Sequence, residues 1–187
     1  MARKKEYLEA DVIDKAMNLF WRNGYENTSM KMLEKEMGIN KFSIYSSFGS
    51  KYGVFTESIK SYKEKTHYMF EKFEKASNGV EDIKQFFYDS VDVCNQNGNE
   101  KGCFLTNTYN EFSESEDEEL KDQLNSFMVH LKKLFIEKLR MDGSKDEDTI
   151  LKQANFLVLA KHGLAAATRV NNQKEIEDYI EMTFKNI

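Results

Sequence analysis

The stretch that most constrains the fold of this chain is residues 28–51, where short helices are predicted to meet at tight joins. Thr28 or Ser29 can cap the first helix through its hydroxyl group. Gly38 can take the left-handed conformation that ends this helix, and Asn40 is a favourable cap for the next one. A helix, a tight turn and a second helix form a helix-turn-helix, which places its second helix in the major groove of DNA.

The second helix of this motif, residues 41–48, is predicted to have an inner and an outer side. Ile44 and Phe48 fall on one face and should pack inward. Phe42 could contact a thymine methyl group in the groove. The side chains left to meet the bases are Lys41, Phe42, Ser43, Tyr45 and Ser46. Contacts to phosphates, which set the register on DNA, are predicted for Thr28, Ser29, Tyr45 and Lys51.

Residues 12–55 combine this motif with further side chains at fixed spacing: Ala16, Leu19, Phe20, Gly24, Tyr25, Thr28, Ser29, Gly38, Ile39, Lys41, Ile44, Tyr45, Phe48, Ser50, Lys51 and Phe55. In these positions the chain resembles the DNA-binding domain of the TetR family of bacterial transcription regulators. It departs from the family pattern at Glu34, Phe42, Ser46 and Ser47. We therefore carry over the fold of this domain and no operator sequence.

The resemblance implies an all-α protein of about nine helices. Its helix-turn-helix domain would occupy residues 1–50, and a helical domain for effector binding and dimerisation would occupy residues 51–187. The expected function is a homodimeric repressor that a small-molecule effector releases from a palindromic double-stranded DNA operator. Two recognition helices that read such a palindrome should lie about 34–36 Å apart.

The helix predicted over about 146–170 is apolar on nearly every side. Ser144 and Glu147 have the spacing of a capping box at its start, as do Ser115 and Glu118 earlier in the chain. A helix that is apolar all round is buried on all sides, which in a chain of this size favours a subunit partner. The resemblance implies a homodimer through helices in about 146–187, and the alternative is a monomer core.

Aromatic side chains with a few polar groups among them mark the central helices. A mostly apolar cavity with few polar anchors is typical of small-molecule sites, and the resemblance implies an effector pocket in this region. The alternative is an ordinary aromatic core. The candidate pocket residues are Tyr62, His67, Phe70, Phe87, Cys103, Phe104, Asn107, Tyr109, Phe127 and His162.

Cys103 is predicted to lie near a helix N-terminus and follows Lys101 by two positions. Both features favour the thiolate and so raise the reactivity of the thiol. The segment Gly102–Asn107 resembles a branch of the family in which some members respond to electrophiles or oxidants. The alternative is a small packed hydrophobe, which is also the interpretation of Cys94.

Charge is distributed unevenly along the chain, whose net charge is −5. Residues 1–51 carry a net +2 and the remainder carries −7, as expected when one end of a protein meets phosphate. The basic side chains of Arg3, Lys4 and Lys5 fit either an arm along DNA or a solubilising tail.

Other functional classes find little support in the sequence. There is no proline, which favours long helices, and no apolar run long enough to cross a membrane. The two cysteines provide no disulfide framework and fit the cytoplasm. His67, His130 and His162 lack metal-ligand spacing, so neither a metal nor a cofactor nor an enzyme is expected. The alternatives are a helical interaction protein that has lost DNA binding and an enzyme using Cys103.

Overall fold

The computed structural model describes residues 7–95, 102–112, 118–185 and 187. In these residues the chain forms nine α-helices and no strands, which confirms the all-α prediction. It divides into two compact units, Met1–Thr66 and His67–Ile187, which we describe separately. The functional boundary predicted at residue 50 stays a prediction, as does the role of Arg3, Lys4 and Lys5, which lie outside the described residues.

The first unit encloses a small aromatic core. The rings of Phe20 and Phe55 meet edge to face with their centroids 5.0 Å apart, and those of Trp21 and Tyr62 do so at 5.1 Å. Such pairs stabilise the fold beyond the area they bury. The helices of this unit are α1 (Glu9–Asn23), α2 (Met30–Met37), α3 (Lys41–Phe48) and the first part of α4 (Lys51–Lys75).

Short-range hydrogen bonds define the helix-turn-helix, as its sequence predicts. Ser29 Oγ accepts a hydrogen bond from Met32 N–H at the start of α2 (3.3 Å). Gly38 ends this helix with a φ of 71°, a left-handed conformation that costs glycine little. Asn40 Oδ1 then accepts from Ser43 N–H and caps α3 (2.9 Å).

The join between α3 and α4 depends on a close approach of two backbone segments. A Cβ atom at Gly53 would lie 1.9 Å from the carbonyl oxygen of Phe48. Real Cβ atoms do not approach so closely, so any other residue would move α4 away from the end of α3. The amide of Gly53 also donates to Ser50 Oγ, which caps the start of α4 (3.0 Å).

The second unit has a core rich in phenylalanine. Phe73 and Phe86 stack with their centroids 4.7 Å apart, and Phe87 meets Phe184 edge to face at 5.1 Å. The helices of this unit are the last turns of α4, α5 (Val80–Asn95), α6 (Phe104–Glu111), α7 (Glu118–Arg140), α8 (Glu147–Ala167) and α9 (Gln173–Phe184).

The predicted capping box at Ser144 is wrong. Asp146 caps α8 by accepting a hydrogen bond from Thr149 N–H (2.7 Å), whereas Ser144 Oγ donates to Asp142 Oδ2 (2.8 Å). Asp146 lies directly ahead of the helix, so its short carboxylate reaches the free N–H group that Ser144 cannot. The corresponding box at Ser115 lies outside the described residues. Within the described ranges, no helix is long and apolar enough to cross a membrane.

Candidate functional site

One side of α3 is open to solvent, and it carries most of the predicted base contacts. Phe42 is 81% exposed and Tyr45 is 44% exposed, although both are large apolar side chains. Lys41 and Ser46 are exposed as well, and the Lys41 ammonium lies 5.7 Å from the centroid of the Tyr45 ring. Ile44 is fully buried, as predicted. This side of the helix therefore presents aromatic, cationic and hydroxyl groups together.

Two of the predicted DNA-contacting residues lie elsewhere. Ser43 is half-buried on the flank of α3. Thr28 is fully buried, and its hydroxyl donates to the carbonyl oxygen of Gly24 (2.6 Å), so this hydroxyl stabilises the loop before α2. Ser29, the neighbouring residue, is exposed. Burial removes Thr28 from the phosphate contacts that we consider below.

Lys51 is held at the start of α4 by Tyr25. Its ammonium donates to the carbonyl oxygen of Tyr25 (2.9 Å) and lies 4.1 Å from the centroid of the tyrosine ring. A cation over an aromatic face is electrostatically favourable. The side chain is half-buried, which fixes the position of one positive charge in the first unit.

Glu34, one of the departures from the family pattern, has a structural explanation. Its carboxylate accepts a hydrogen bond from the backbone N–H of Lys41, the first residue of α3. The first N–H groups of a helix have no partner within the helix, so Glu34 and Asn40 together satisfy the N-terminal end of α3. The sequence patterns did not predict this contact, although a carboxylate shortly before a helix start is a recognisable signal.

In the second unit, the candidate pocket residues Tyr109 and His162 lie close together. Their ring centroids are 5.9 Å apart, and His162 Nε2 lies 3.4 Å from the sulfur of Met128. Burial lowers the pKa of His162 from its usual value, and the positive charge of Lys161 lowers it further. A lowered pKa favours the neutral form of this imidazole.

The two cysteines belong to the same neighbourhood of the second unit. Burial raises the pKa of the Cys94 thiol to about 12, and the charge of Cys103 raises it further. Lys161 and a hydrogen bond with Thr168 act in the opposite direction. Cys103 is half-buried at the N-cap of α6, as predicted, while Lys101 lies outside the described residues.

The remaining candidate pocket residues are dispersed. Tyr62 packs in the first unit, and the imidazole of His67 is exposed and lies 3.1 Å from the Glu71 carboxylate. Phe87 and Phe104 are buried in the core, while Asn107 is half-buried on α6. The ring of Phe70 lies between those of Phe86 and Phe127, at 5.2 and 5.4 Å.

Lys161 is a residue that the sequence patterns did not single out. It is only 7% exposed, and its positive charge lowers the pKa values of Cys94 and His162. Buried charges in proteins are usually paired or serve a function. The sequence feature that could have pointed to this residue is its position as the single lysine in the apolar segment 156–167.

Large apolar side chains are exposed on the last two helices. Phe156 and Leu159 on α8 are 48% and 69% exposed, whereas Leu157 between them is fully buried. Tyr179 and Met182 on α9 are 37% and 63% exposed. Helix α8 is therefore buried on one side by its own chain and leaves an apolar side uncovered, which explains its apolar sequence. We refer to Phe156, Leu159, Tyr179 and Met182 as the α8–α9 patch.

Comparison with known proteins identifies the N-terminal part of the chain. Residues 12–57 match the family model described as bacterial regulatory proteins, tetR family. This N-terminal region is a TetR-family domain. The matched residues cover the helix-turn-helix and the start of α4, which is the region where the sequence resemblance lies.

Relatives and solved structures of the TetR family extend the likeness beyond this domain. One relative is the uncharacterized HTH-type transcriptional regulator YezE of Bacillus subtilis, which is 32% identical over 109 residues. These residues are 58% of this chain and 56% of YezE, so the match spans little more than half of that relative. IcaR of Staphylococcus aureus, a negative transcriptional regulator of the biofilm operon icaADBC, is 25% identical over 75% of this chain and 76% of its own. One solved structure is a cysteine mutant of the TetR-family regulator CifR, complexed with 26-base-pair operator DNA. It aligns with 99% of both chains at a TM-score of 0.84 and 23% identity, which shows a shared fold.

Within the described residues, no group of three or more His, Cys, Asp or Glu side chains is placed to hold a metal ion.

Proposed function

We propose that this chain is a homodimeric, sequence-specific DNA-binding repressor of transcription that a small-molecule effector releases from its operator. The observation that carries the proposal is the solvent-exposed side of α3, where Phe42 is 81% exposed in a well-capped helix-turn-helix. Tyr45 is exposed one turn further along the same helix, and a contiguous exposed apolar patch marks an interaction surface. The likeness to IcaR, a negative transcriptional regulator, supports repression over activation.

In the proposed complex, some exposed residues contact bases and others contact phosphates. Phe42 packs against a thymine methyl group, and Lys41 and Ser46 donate hydrogen bonds to base edges in the major groove. Ser29, Tyr45 and the Lys51 ammonium hold phosphates and set the register. A two-fold symmetric dimer would place its two copies of α3 about 34–36 Å apart and read a palindrome.

The α8–α9 patch is the proposed dimer contact. A two-fold axis makes the same patch meet its own copy, so each contact across the interface occurs twice. Replacing Leu159 with Glu should produce a monomer in size-exclusion chromatography with light scattering. Val129→Glu, at a residue 64% exposed on α7, is the matched control and should remain a dimer. A dimeric Leu159→Glu variant would contradict this contact.

The proposed effector site lies in the second unit near Tyr109 and His162, with Cys103 and Lys161 in the same part of the fold. These side chains combine aromatic surface, a neutral imidazole, a thiol and a buried cation. An effector that binds here releases DNA only if it prefers the conformation with low DNA affinity. We place this repressor in the cytoplasm, where its DNA target lies.

An electrophoretic mobility-shift assay with the DNA that flanks the gene of this protein, run at two salt concentrations, tests the proposal. A discrete complex that weakens as salt rises is expected, because counterions are released from the phosphates on binding. Tyr45→Ala should abolish the complex and leave the far-UV circular dichroism unchanged. Tyr68→Ala, which truncates a tyrosine 57% exposed in the second unit, should bind normally. Retained operator affinity in Tyr45→Ala would refute the proposed contacts.

A further inference from the structure

Tyr7 precedes the first helix of the chain, yet its side chain contacts the recognition helix α3. Its hydroxyl lies 2.8 Å from Ser47 Oγ, within hydrogen-bond distance. The same hydroxyl approaches the backbone carbonyl oxygen of Ser43 at 3.4 Å. These partners follow Tyr7 by 40 and 36 positions, so the contact exists only in the folded first unit.

Ser43 and Ser47 are one turn apart on the flank of α3. Ile44 marks the buried side of this helix, and Phe42 and Ser46 mark the exposed side. The half-buried tyrosine therefore meets α3 at the border between its core side and its proposed DNA side. A hydrogen bond at this border opposes rotation of the helix about its own axis.

The contact matters because this helix is short and has a single fully buried side chain. It has eight residues, and Ile44 is the buried side chain within it. Asn40 and Glu34 hold only its N-terminal end, through the backbone N–H groups of Ser43 and Lys41. Tyr7 adds a contact to its second half, through the hydroxyl of Ser47.

We infer that Tyr7 is a positioning residue for DNA recognition: its hydroxyl fixes the rotation of α3, so that Phe42 and Ser46 face the bases, without contacting DNA itself. This inference rests on the proposed function. The net value of one such hydrogen bond corresponds to a change of about 2- to 12-fold in an equilibrium constant.

The test uses the full-length dimer and four proteins: wild type, Tyr7→Phe, Ser47→Ala and the double variant. Fluorescence anisotropy measures their binding to the operator duplex and to a scrambled duplex of equal composition at several salt concentrations. We expect Tyr7→Phe to weaken operator binding about 2- to 12-fold and to leave scrambled-duplex affinity and the salt dependence unchanged. Ser47→Ala should weaken it similarly, and the double variant no further, because both changes remove one bond.

Tyr68→Phe is the matched control, since it removes a hydroxyl from an exposed tyrosine of the second unit and should change nothing. Unchanged operator affinity in Tyr7→Phe overturns the inference. An equal loss on both duplexes, or a weaker salt dependence, also overturns it, because Tyr7 would then contact phosphate directly. Wild-type protein that prefers no duplex would refute the proposed function itself, whereas a specific wild type with an unaffected Tyr7→Phe refutes only the positioning role.

Discussion

Replacing Lys138 with Met is expected to destabilise the second unit strongly. Lys138 is only 2% exposed, and its ammonium donates to the carbonyl oxygens of Glu74 (3.2 Å) and Ala76 near the end of α4. It also lies 3.9 Å from Asp82 Oδ2 and 5.5 Å from the ring centroid of Phe73. Methionine keeps the apolar stem of the side chain and removes the charge and the donors.

The magnitude follows from what the substitution leaves behind. Removing one partner of a buried ion pair costs about 3–5 kcal/mol, because the other charge stays buried without compensation. Asp82 is partly compensated, since it accepts a hydrogen bond from Asn78 N–H (2.6 Å) and lies in the first turn of α5, where the helix dipole favours an anion. We therefore expect a loss at the lower end, about 3 kcal/mol.

Urea denaturation followed by far-UV circular dichroism measures this loss. With a slope of about 1–3 kcal/mol per M, the midpoint should fall by roughly 1–3 M. Asp82→Asn in the Lys138→Met background should recover part of the stability, because it removes the uncompensated charge. A loss below about 1 kcal/mol for Lys138→Met, or strictly additive effects of the two substitutions, would refute the reasoning.

Three further predictions concern the turn, the histidine and the thiols. Gly38→Ala should lower the free energy of unfolding of the first unit by about 1–2 kcal/mol, because the φ of 71° at this position strains any residue with a Cβ. Trp21 fluorescence measures the unfolding transition, and an unchanged transition would contradict this prediction. Since the pKa of His162 is lowered in the folded state, the unfolded chain takes up its proton first as pH falls below about 6.5. Wild type should therefore lose more stability than His162→Gln between pH 7 and 5.5, and equal pH dependence of the two proteins would argue against the shift. Iodoacetamide at pH 8 should alkylate half-exposed Cys103 and spare Cys94, whose pKa of about 12 keeps it protonated. Equal labelling of the two cysteines in mass spectrometry would contradict this difference in reactivity.

Local signals were sufficient to predict the helix-turn-helix. Ser29, Gly38 and Asn40 act on neighbours within a few positions, so their capping and turn roles could be read directly from the chain. The inward position of Ile44 followed from helical periodicity for the same reason. The prediction failed at Ser144, because two polar residues two positions apart compete for one helix start and only the folded geometry selects Asp146.

Helical periodicity in the sequence could not distinguish aromatic residues of the core from those of a ligand site. Phe87 and His67 were both candidate pocket residues, yet Phe87 is fully buried and His67 pairs with Glu71 at the surface. The apolar segment 156–167 was correctly judged to exceed what a monomer buries, since Phe156 and Leu159 remain exposed. Which side of α8 stays open is decided by the packing of α7 and α9 against it.

The sequence by itself determined the helical class, the helix-turn-helix and the family of the N-terminal domain. Capping, turns and helical periodicity act over a few residues, so their signals are present in short stretches of the chain. The tertiary structure alone decided the contact of Tyr7 with Ser47, the burial of Lys161 and the enclosure of Lys138 beside Asp82. These features join residues tens of positions apart or depend on what surrounds a side chain. No short sequence pattern encodes them, since their energies arise only when distant helices pack and exclude water.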